Sequence, residues 1–114
     1  MSRIRFRAAV CIVLYLSASG AFADQASWDG KKLFSECRKK SALCTTYLAG
    51  VSDFASKEAG IALPSAAVCF PKGTTARQIR DVVLKQLEAY PQGWAEPAVY
   101  IALTAMKEAW PCSD

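Results

Sequence analysis

Four cysteines constrain the fold of this chain more than any other feature of its sequence. They stand at Cys37, Cys44, Cys69 and Cys112; the fifth cysteine of the chain, Cys11, lies in the N-terminal segment that we expect to be removed. An even number of cysteines in a small domain indicates two disulfides where the compartment is oxidising. Four cysteines allow three pairings, and the sequence alone does not choose between them. We favour Cys44–Cys69 with Cys37–Cys112, a nested arrangement that ties the first helix to the middle loop and to the C-terminus.

The N-terminus has the three-part layout of a secretory signal peptide. Three arginines lie within the first seven residues, an apolar run fills residues 8–16, and the small residues Ala21 and Ala23 follow. That order predicts export with cleavage after Ala23. We therefore expect residues 1–23 to be removed, residues 24–114 to form a single periplasmic domain, and no membrane segment to remain after cleavage.

The charge balance gives no reason to expect a nucleic-acid partner. The whole chain carries a net charge of +4, but the predicted signal segment holds three arginines and no acidic residue, so the mature charge is +1. Nucleic-acid binding domains usually carry a basic patch or stripe. A mature chain of about 91 residues is also small enough for its core to benefit from covalent bracing.

Apolar periodicity predicts an all-α fold, a small disulfide-braced bundle of three to four helices. The first helix is predicted over about 31–57. Its core face comprises Leu33, Cys37, Cys44, Tyr47, Leu48, Val51 and Phe54. Gly50 lies inside this pattern, where it weakens a helix by about 1 kcal/mol relative to alanine. We expect it to permit a bend or the close approach of another backbone.

Two further helices follow a long connection that we expect Cys69 to hold in place. Thr75 and Gln78 fit a capping box at the start of the second helix, and Pro91 ends it. Its apolar face comprises Ile79, Val82, Val83, Leu87 and Tyr90. The third helix is predicted over about 95–110, with Val99, Leu103, Met106 and Trp110 beside a stripe of Ala98, Ala102, Ala105 and Ala109. Both stripes are predicted to be core.

No residue pattern in the chain predicts catalysis, a metal or a cofactor. The chain has no histidine, no CxxC pair and no glycine-rich phosphate loop. Histidine is the usual general base for a nucleophile and the commonest metal ligand. We therefore predict that the protein is not an enzyme, and that it acts as a binding or inhibitor module.

Three separated segments resemble a known family. Residues 44–53 (CTTYLAGVSD) look like the C-x-x-Y-[LI]-x-G-V-x-D signature of the Rap/Tai family of periplasmic immunity proteins. Residues 69–79 (CFPKGTTARQI) look like its C-x-P-x-G-x-T-x-x-Q-[LI] segment. Ala102, Leu103 and the closing WPC of residues 110–112 look like its A-L…[FW]-P-C. The similarity covers nearly the whole mature chain in the right order and spacing.

The resemblance implies a helical inhibitor, in many members a homodimer, that binds a peptidoglycan amidase delivered by type VI secretion and sterically blocks its cleft. The turn after the second helix departs from the family pattern. We predict partner contacts at Trp94, Gln92 and Glu96 in that turn and at Lys72 before the second helix. Trp94 is either an interface anchor or a staple of the third helix.

Two other functions compete with immunity. One is a periplasmic stress protein that binds unfolded clients, similar to small acid-stress chaperones with a disulfide-tied helical fold. The other is a structural or accessory exported domain without a toxin partner.

Overall fold

The computed structural model describes residues 27–113, and the predicted signal segment lies outside them. Its helices are α1 (Gly30–Arg38), α2 (Ala42–Ala55), α3 (Ala76–Ala89) and α4 (Ala98–Ala109), with 3-10 turns at Lys57–Ala59 and Pro91–Gly93. No β-strand occurs in the described part of the chain. The prediction of a small all-α, disulfide-braced bundle is therefore confirmed.

The first predicted helix is two helices joined by an elbow at residues 39–41. Lys40 adopts a left-handed backbone conformation, with φ of 55°. The Lys40 N–H donates to the Cys37 carbonyl, and the Ser41 N–H donates to the Glu36 carbonyl. This pair of bonds is the Schellman arrangement that ends many helices. Ser41 then starts α2, because its side chain accepts a hydrogen bond from the Cys44 N–H.

The disulfides are Cys37–Cys44 and Cys69–Cys112, so the nested pairing predicted from the sequence is wrong. In an unbroken helix, residues seven apart are separated by about 10.5 Å, too far for a disulfide. The elbow brings the α-carbons of Cys37 and Cys44 to 4.9 Å. Both side chains are fully buried, so this bond braces the elbow from inside the core.

The connection between α2 and α3 is pinned where the sequence predicted. Val68 is buried; its N–H donates to the Ala55 carbonyl, and its own carbonyl accepts from the Lys57 N–H. The next residue, Cys69, is bonded to Cys112, and its N–H donates to the Trp110 carbonyl at 3.1 Å. The middle of this segment is therefore fixed both to α2 and to the chain beyond α4.

The small-residue stripe of α4 lies in the core, as predicted. Ala98, Ala102 and Ala105 are buried while Ala109 is exposed, and α4 packs against each of the other three helices. Small side chains permit such close helix contacts. The hydrophobic core consists of Leu33, Cys37, Cys44, Leu48, Ala55, Val68, Val83, Leu87, Ala98, Ala102, Ala105 and Met106.

Besides Ala109, three residues predicted to lie on core faces are exposed instead: Phe54, Tyr90 and Val99, of which Val99 is 38% exposed at the start of α4. Phe54 is 49% exposed, because the elbow turns α2 relative to α1 and the buried face of α2 runs through Leu48, Ser52 and Ala55. Tyr90 is 56% exposed. It caps α3 with φ of −134° and ψ of 60°, so its side chain leaves the line of the helix face before Pro91.

The ends of α3 and α4 follow local sequence signals. The Gln78 N–H donates to Thr75 Oγ1 and the Thr75 N–H donates to Gln78 Oε1, which confirms the capping box. The third predicted helix, α4, begins at Ala98 rather than at about residue 95, because Pro97 occupies its N-cap position. It ends at Ala109, with Trp110 as its C-cap before Pro111.

Glu36 is a buried carboxylate that joins both sides of the elbow. It accepts hydrogen bonds from Ser41 Oγ at 2.7 Å, Lys39 Nζ at 3.1 Å and Lys32 Nζ at 3.4 Å. These bonds favour the ionised form, the one from Ser41 most strongly, and lower the pKa of Glu36 from its ordinary 4.5 to about 2. The carboxylate therefore stabilises the folded state above pH 4.5, and this contribution is lost as the pH falls towards 2.

Replacing Glu36 with glutamine is expected to flatten the acid limb of the stability curve. The wild-type thermal midpoint should fall more steeply between about pH 4.5 and pH 2.5 than that of Glu36→Gln, because only the wild type must protonate this carboxylate. At pH 7 the variant should be the less stable protein. Glu58→Gln, at an exposed position, serves as the control and should keep the wild-type slope. Parallel slopes for wild type and Glu36→Gln would contradict this assignment.

Gly30 and Gly50 are expected to respond in opposite directions to alanine. A β-carbon on Gly30 would lie 2.9 Å from Trp94 Cα and 2.4 Å from Ile101 Cδ1, whereas one on Gly50 would meet nothing within 4 Å. The helix α2 continues through Gly50, and the predicted close approach of another backbone is not found among the described residues. Gly30→Ala should cost about 1–3 kcal/mol of unfolding free energy.

Gly50→Ala should add about 1 kcal/mol of stability, because alanine favours the helix and has room. Urea unfolding of both variants beside the wild type measures the two effects. Equal changes at the two positions would show that the contact between Gly30 and Trp94 does not limit packing.

Candidate functional site

The turn between α3 and α4, residues 90–97, carries three of the four predicted contact residues. It opens with the 3-10 turn Pro91–Gly93, in which proline takes the first position. The Gly93 N–H donates to the Tyr90 carbonyl, and the Glu96 N–H donates to the Gly93 carbonyl. Gln92 and Glu96 are exposed, while Gly93 is buried beneath them.

This turn is held against the start of α1 by backbone hydrogen bonds. The Lys31 N–H donates to the Trp94 carbonyl at 3.0 Å, and the Gly30 N–H donates to the Glu96 carbonyl at 2.9 Å. The Ala98 N–H donates in turn to the Trp28 carbonyl at 2.9 Å. The first N–H groups of a helix have no partner within the helix, so the turn satisfies donors that α1 leaves open. The turn is therefore part of the scaffold.

The Trp94 side chain packs into the bundle and holds the turn against it. Its Nε1 donates a hydrogen bond to the Leu87 carbonyl at 2.8 Å. Its ring stacks on Phe34, with centroids 4.3 Å apart and an interplanar angle of 26°. The side chain is half-buried. These contacts favour the staple interpretation of Trp94, and contact between Trp94 and a partner stays a prediction.

A second aromatic pair lies beside α1. The rings of Trp28 and Tyr47 stack in parallel at 4.7 Å, and Lys32 Nζ lies 5.6 Å from the Trp28 ring centroid. Burial raises the pKa of Tyr47. Trp28 has no predicted role, since no periodicity marks a residue that precedes the first helix. Asp29 caps α1, and its Oδ1 accepts a hydrogen bond from the Lys32 N–H at 2.9 Å.

Lys72 lies apart from the turn. It lines a cleft of about 650 Å³ between α2 and the segment 68–74, together with the charged residues Asp53, Lys57 and Glu58. None of the residues that line this cleft lines the groove beside the turn. The structure thus brings Gln92, Trp94 and Glu96 together and leaves Lys72 in a different cavity.

A groove of about 300 Å³ runs between α3, the turn and α4, and we call it the α3–α4 groove. It is lined by Gln86, Tyr90, Gly93, Glu96, Tyr100, Ile101, Thr104 and Glu108. Tyr90 and Tyr100 are 56% and 64% exposed. Sequence reasoning placed only Glu96 on a binding surface here; it assigned Tyr90 to the core and left Tyr100 without a role. The i, i+4, i+8 spacing of Tyr100, Thr104 and Glu108 was the signal for a shared helix face.

The described residues offer no arrangement for metal chemistry. Residues 27–113 contain no group of three histidine, cysteine, aspartate or glutamate side chains that could hold a metal ion. Within that same range, none of the helices is both long enough and apolar enough to cross a membrane. What the surface does offer is a rigid turn, a groove with exposed tyrosines and a cleft of mixed charge.

Comparison with known proteins gives one match. A family model described as Rap1a immunity proteins matches residues 29–112. A search of curated proteins and a search of solved structures found no match. The matched range begins at the cap of α1 and ends at the last cysteine, so it spans all four helices and both disulfides.

Trp94→Ala is expected to lower the unfolding free energy by about 2–4 kcal/mol, because it removes a half-buried ring, its stack on Phe34 and a hydrogen bond. Gln92→Ala, two residues away on the exposed side of the turn, should change stability by less than about 0.5 kcal/mol. Urea unfolding followed by circular dichroism measures both. A Trp94→Ala protein as stable as the wild type would contradict the staple assignment and leave the ring free to anchor a partner.

Proposed function

This chain belongs to the Rap1a immunity protein family, and from that premise we propose that it neutralises a peptidoglycan amidase delivered by type VI secretion. The observation that carries the proposal is the match over residues 29–112, almost all of the described structure. Immunity families are generally non-enzymatic and act by binding a toxin effector. The amidase itself is inferred from the resemblance of the cysteine, glycine and proline segments.

We place the protein in the periplasm, after cleavage behind Ala23. The family is typically periplasmic. Two disulfides support this location, since such bonds persist in oxidising compartments and are rare in the cytosol. The arginine-rich start and the apolar run of residues 8–16 supply the export signal. An immunity protein in that compartment meets the toxin where peptidoglycan is exposed.

The proposed mechanism is steric occlusion of the toxin's active-site cleft, without turnover. A rigid inhibitor loses little conformational freedom on binding, which favours affinity. The turn of residues 90–97 fits this role, because α1 and the Trp94 staple hold it in place while Gln92 and Glu96 face outward. Lys72 would supply a second contact from the other cleft.

A homodimer is the second part of the proposal. Ile61 and Leu63, in the connection after α2, are 64% and 73% exposed. They provide apolar surface, on a different connection from the turn, that a second copy would cover. In that arrangement each copy keeps its own turn available for a toxin.

The first experiment tests inhibition directly. The oxidised mature domain, residues 24–114, is mixed with periplasm-targeted amidases of the same and neighbouring bacteria, and peptidoglycan cleavage is followed by muropeptide chromatography. We expect one amidase to be inhibited at an equimolar ratio and to co-elute with the domain in gel filtration. Reduced and alkylated protein is the control and should not inhibit, because it lacks both braces.

The competing functions predict different results. Failure to inhibit or bind any amidase, together with suppression of client aggregation at low pH, would replace immunity with the stress-chaperone function. Failure in both assays would favour an accessory exported domain. Light scattering of the free domain gives its mass and decides the homodimer.

A further inference from the structure

We propose that the α3–α4 groove receives a basic, arginine-bearing segment of the protein partner. The inference rests on the proposed function in one respect, namely that the partner is a protein. It adds the chemistry of the contact, which neither the family match nor the resemblance assigns. Three observations carry it: a buried glycine in the lining, two exposed tyrosines, and two glutamates that form no ion pair within the described residues.

The floor of the groove is Gly93, which is buried. Its φ lies outside the left-handed region that favours glycine, so the backbone conformation does not require a glycine here. A β-carbon at Gly93 would lie 3.1 Å from Tyr90 Cδ1, a tight contact, and 3.9 Å from Glu96 Oε2, an ordinary one. At this end of the groove, the Tyr90 ring and the Glu96 carboxylate therefore both lie close to the Gly93 backbone.

The walls of the groove present tyrosines to solvent. Tyr90 is 56% exposed and Tyr100 is 64% exposed. Tyrosine rings supply large contact areas at low conformational cost, and exposed tyrosines are common anchors of protein interfaces. A guanidinium group stacks on such rings and is attracted by their electron-rich faces.

The charge of the groove selects a cation. Its only charged lining residues are Glu96 and Glu108, although the predicted mature chain as a whole carries a net charge of +1. Neither glutamate forms an ion pair with any residue in the described range 27–113. Arginine suits the pair better than lysine, because its planar fork binds a carboxylate through two hydrogen bonds while it stacks on an aromatic ring.

The length of the groove fits a short extended segment. Tyr100, Thr104 and Glu108 follow one face of α4, and eight helical residues span about 12 Å. Four extended residues span about 13 Å. The larger cleft near Lys72 lacks this selectivity, because Lys57 and Lys72 stand there with Asp53 and Glu58.

The test uses the oxidised domain and a tetraarginine peptide that is acetylated and amidated at its ends, with the matching tetralysine peptide as the comparison. Amide shifts in ¹H–¹⁵N spectra are followed as the peptide is added to saturation. We expect saturable shifts at Tyr90, Gly93 and Tyr100, with a dissociation constant of about 1 mM that weakens with salt. The lysine peptide should bind about fivefold more weakly. Absent shifts in the groove, or equal affinity for the two peptides, would overturn the proposal.

A matched pair of variants separates the groove from general charge attraction. One double variant, Glu96→Gln with Glu108→Gln, removes the two negative charges of the groove. The control double variant, Glu58→Gln with Glu88→Gln, removes two negative charges from exposed positions outside the groove. The first double variant should bind the arginine peptide about tenfold more weakly than the wild type, and the control less than about twofold more weakly. Equal weakening by both pairs would show a diffuse effect and overturn the proposal. Thermal midpoints close to the wild type confirm that both proteins are folded.

The same variants distinguish the two proposals from each other. If an inhibited amidase is found, the groove variant should bind it about tenfold more weakly, and unchanged affinity would overturn the groove as the contact. If no amidase binds while the arginine peptide still occupies the groove, the proposed toxin fails and the groove stands. Tyr100→Ala should reproduce the loss of peptide binding without removing a charge.

Discussion

The elbow between α1 and α2 is the constraint on which the rest of the bundle depends. The Glu36 carbonyl accepts a hydrogen bond from the Ser41 N–H, and the Glu36 carboxylate accepts one from Ser41 Oγ. One residue therefore joins the end of α1 to the start of α2. Cys37 and Cys44 lock the same junction covalently. Because the elbow turns α2 relative to α1, both helices pack against α3 and α4.

Local signals in the sequence were sufficient wherever the chain uses common residues for common tasks. Thr75 and Gln78 marked the start of α3, and the alanine spacing of α4 marked a core face. The elbow was hidden because Lys40 takes a left-handed conformation that glycine usually occupies, and because the apolar spacing continues across it. Helix geometry alone does not expose the error, because the α-carbons of an unbroken helix lie too far apart for a bond between Cys37 and Cys44, so the continuous helix and the nested pairing agree with each other.

The candidate site was predictable only where it is local in sequence. Gln92, Trp94 and Glu96 share one turn, and an aromatic residue after Pro91 drew attention to it. The groove was not predictable, because Tyr90 and Glu108 line it from opposite ends of the turn and α4, and no spacing rule relates them. Trp94 illustrates the remaining difficulty: a tryptophan at a turn serves equally well as an anchor or as a staple, and only its contacts with Phe34 and Leu87 favour one.

The pairing of the cysteines sets how the molecule responds to being cut. The bridged loops follow one another along the chain, one closing residues 37–44 and the other 69–112. A protease that cleaves within residues 70–111 leaves a single covalent molecule. One that cleaves between residues 45 and 68 divides it into two pieces joined only by packing and backbone hydrogen bonds. The exposed stretch containing Ile61 and Leu63 is thus a place where a single cut separates α1 and α2 from α3 and α4.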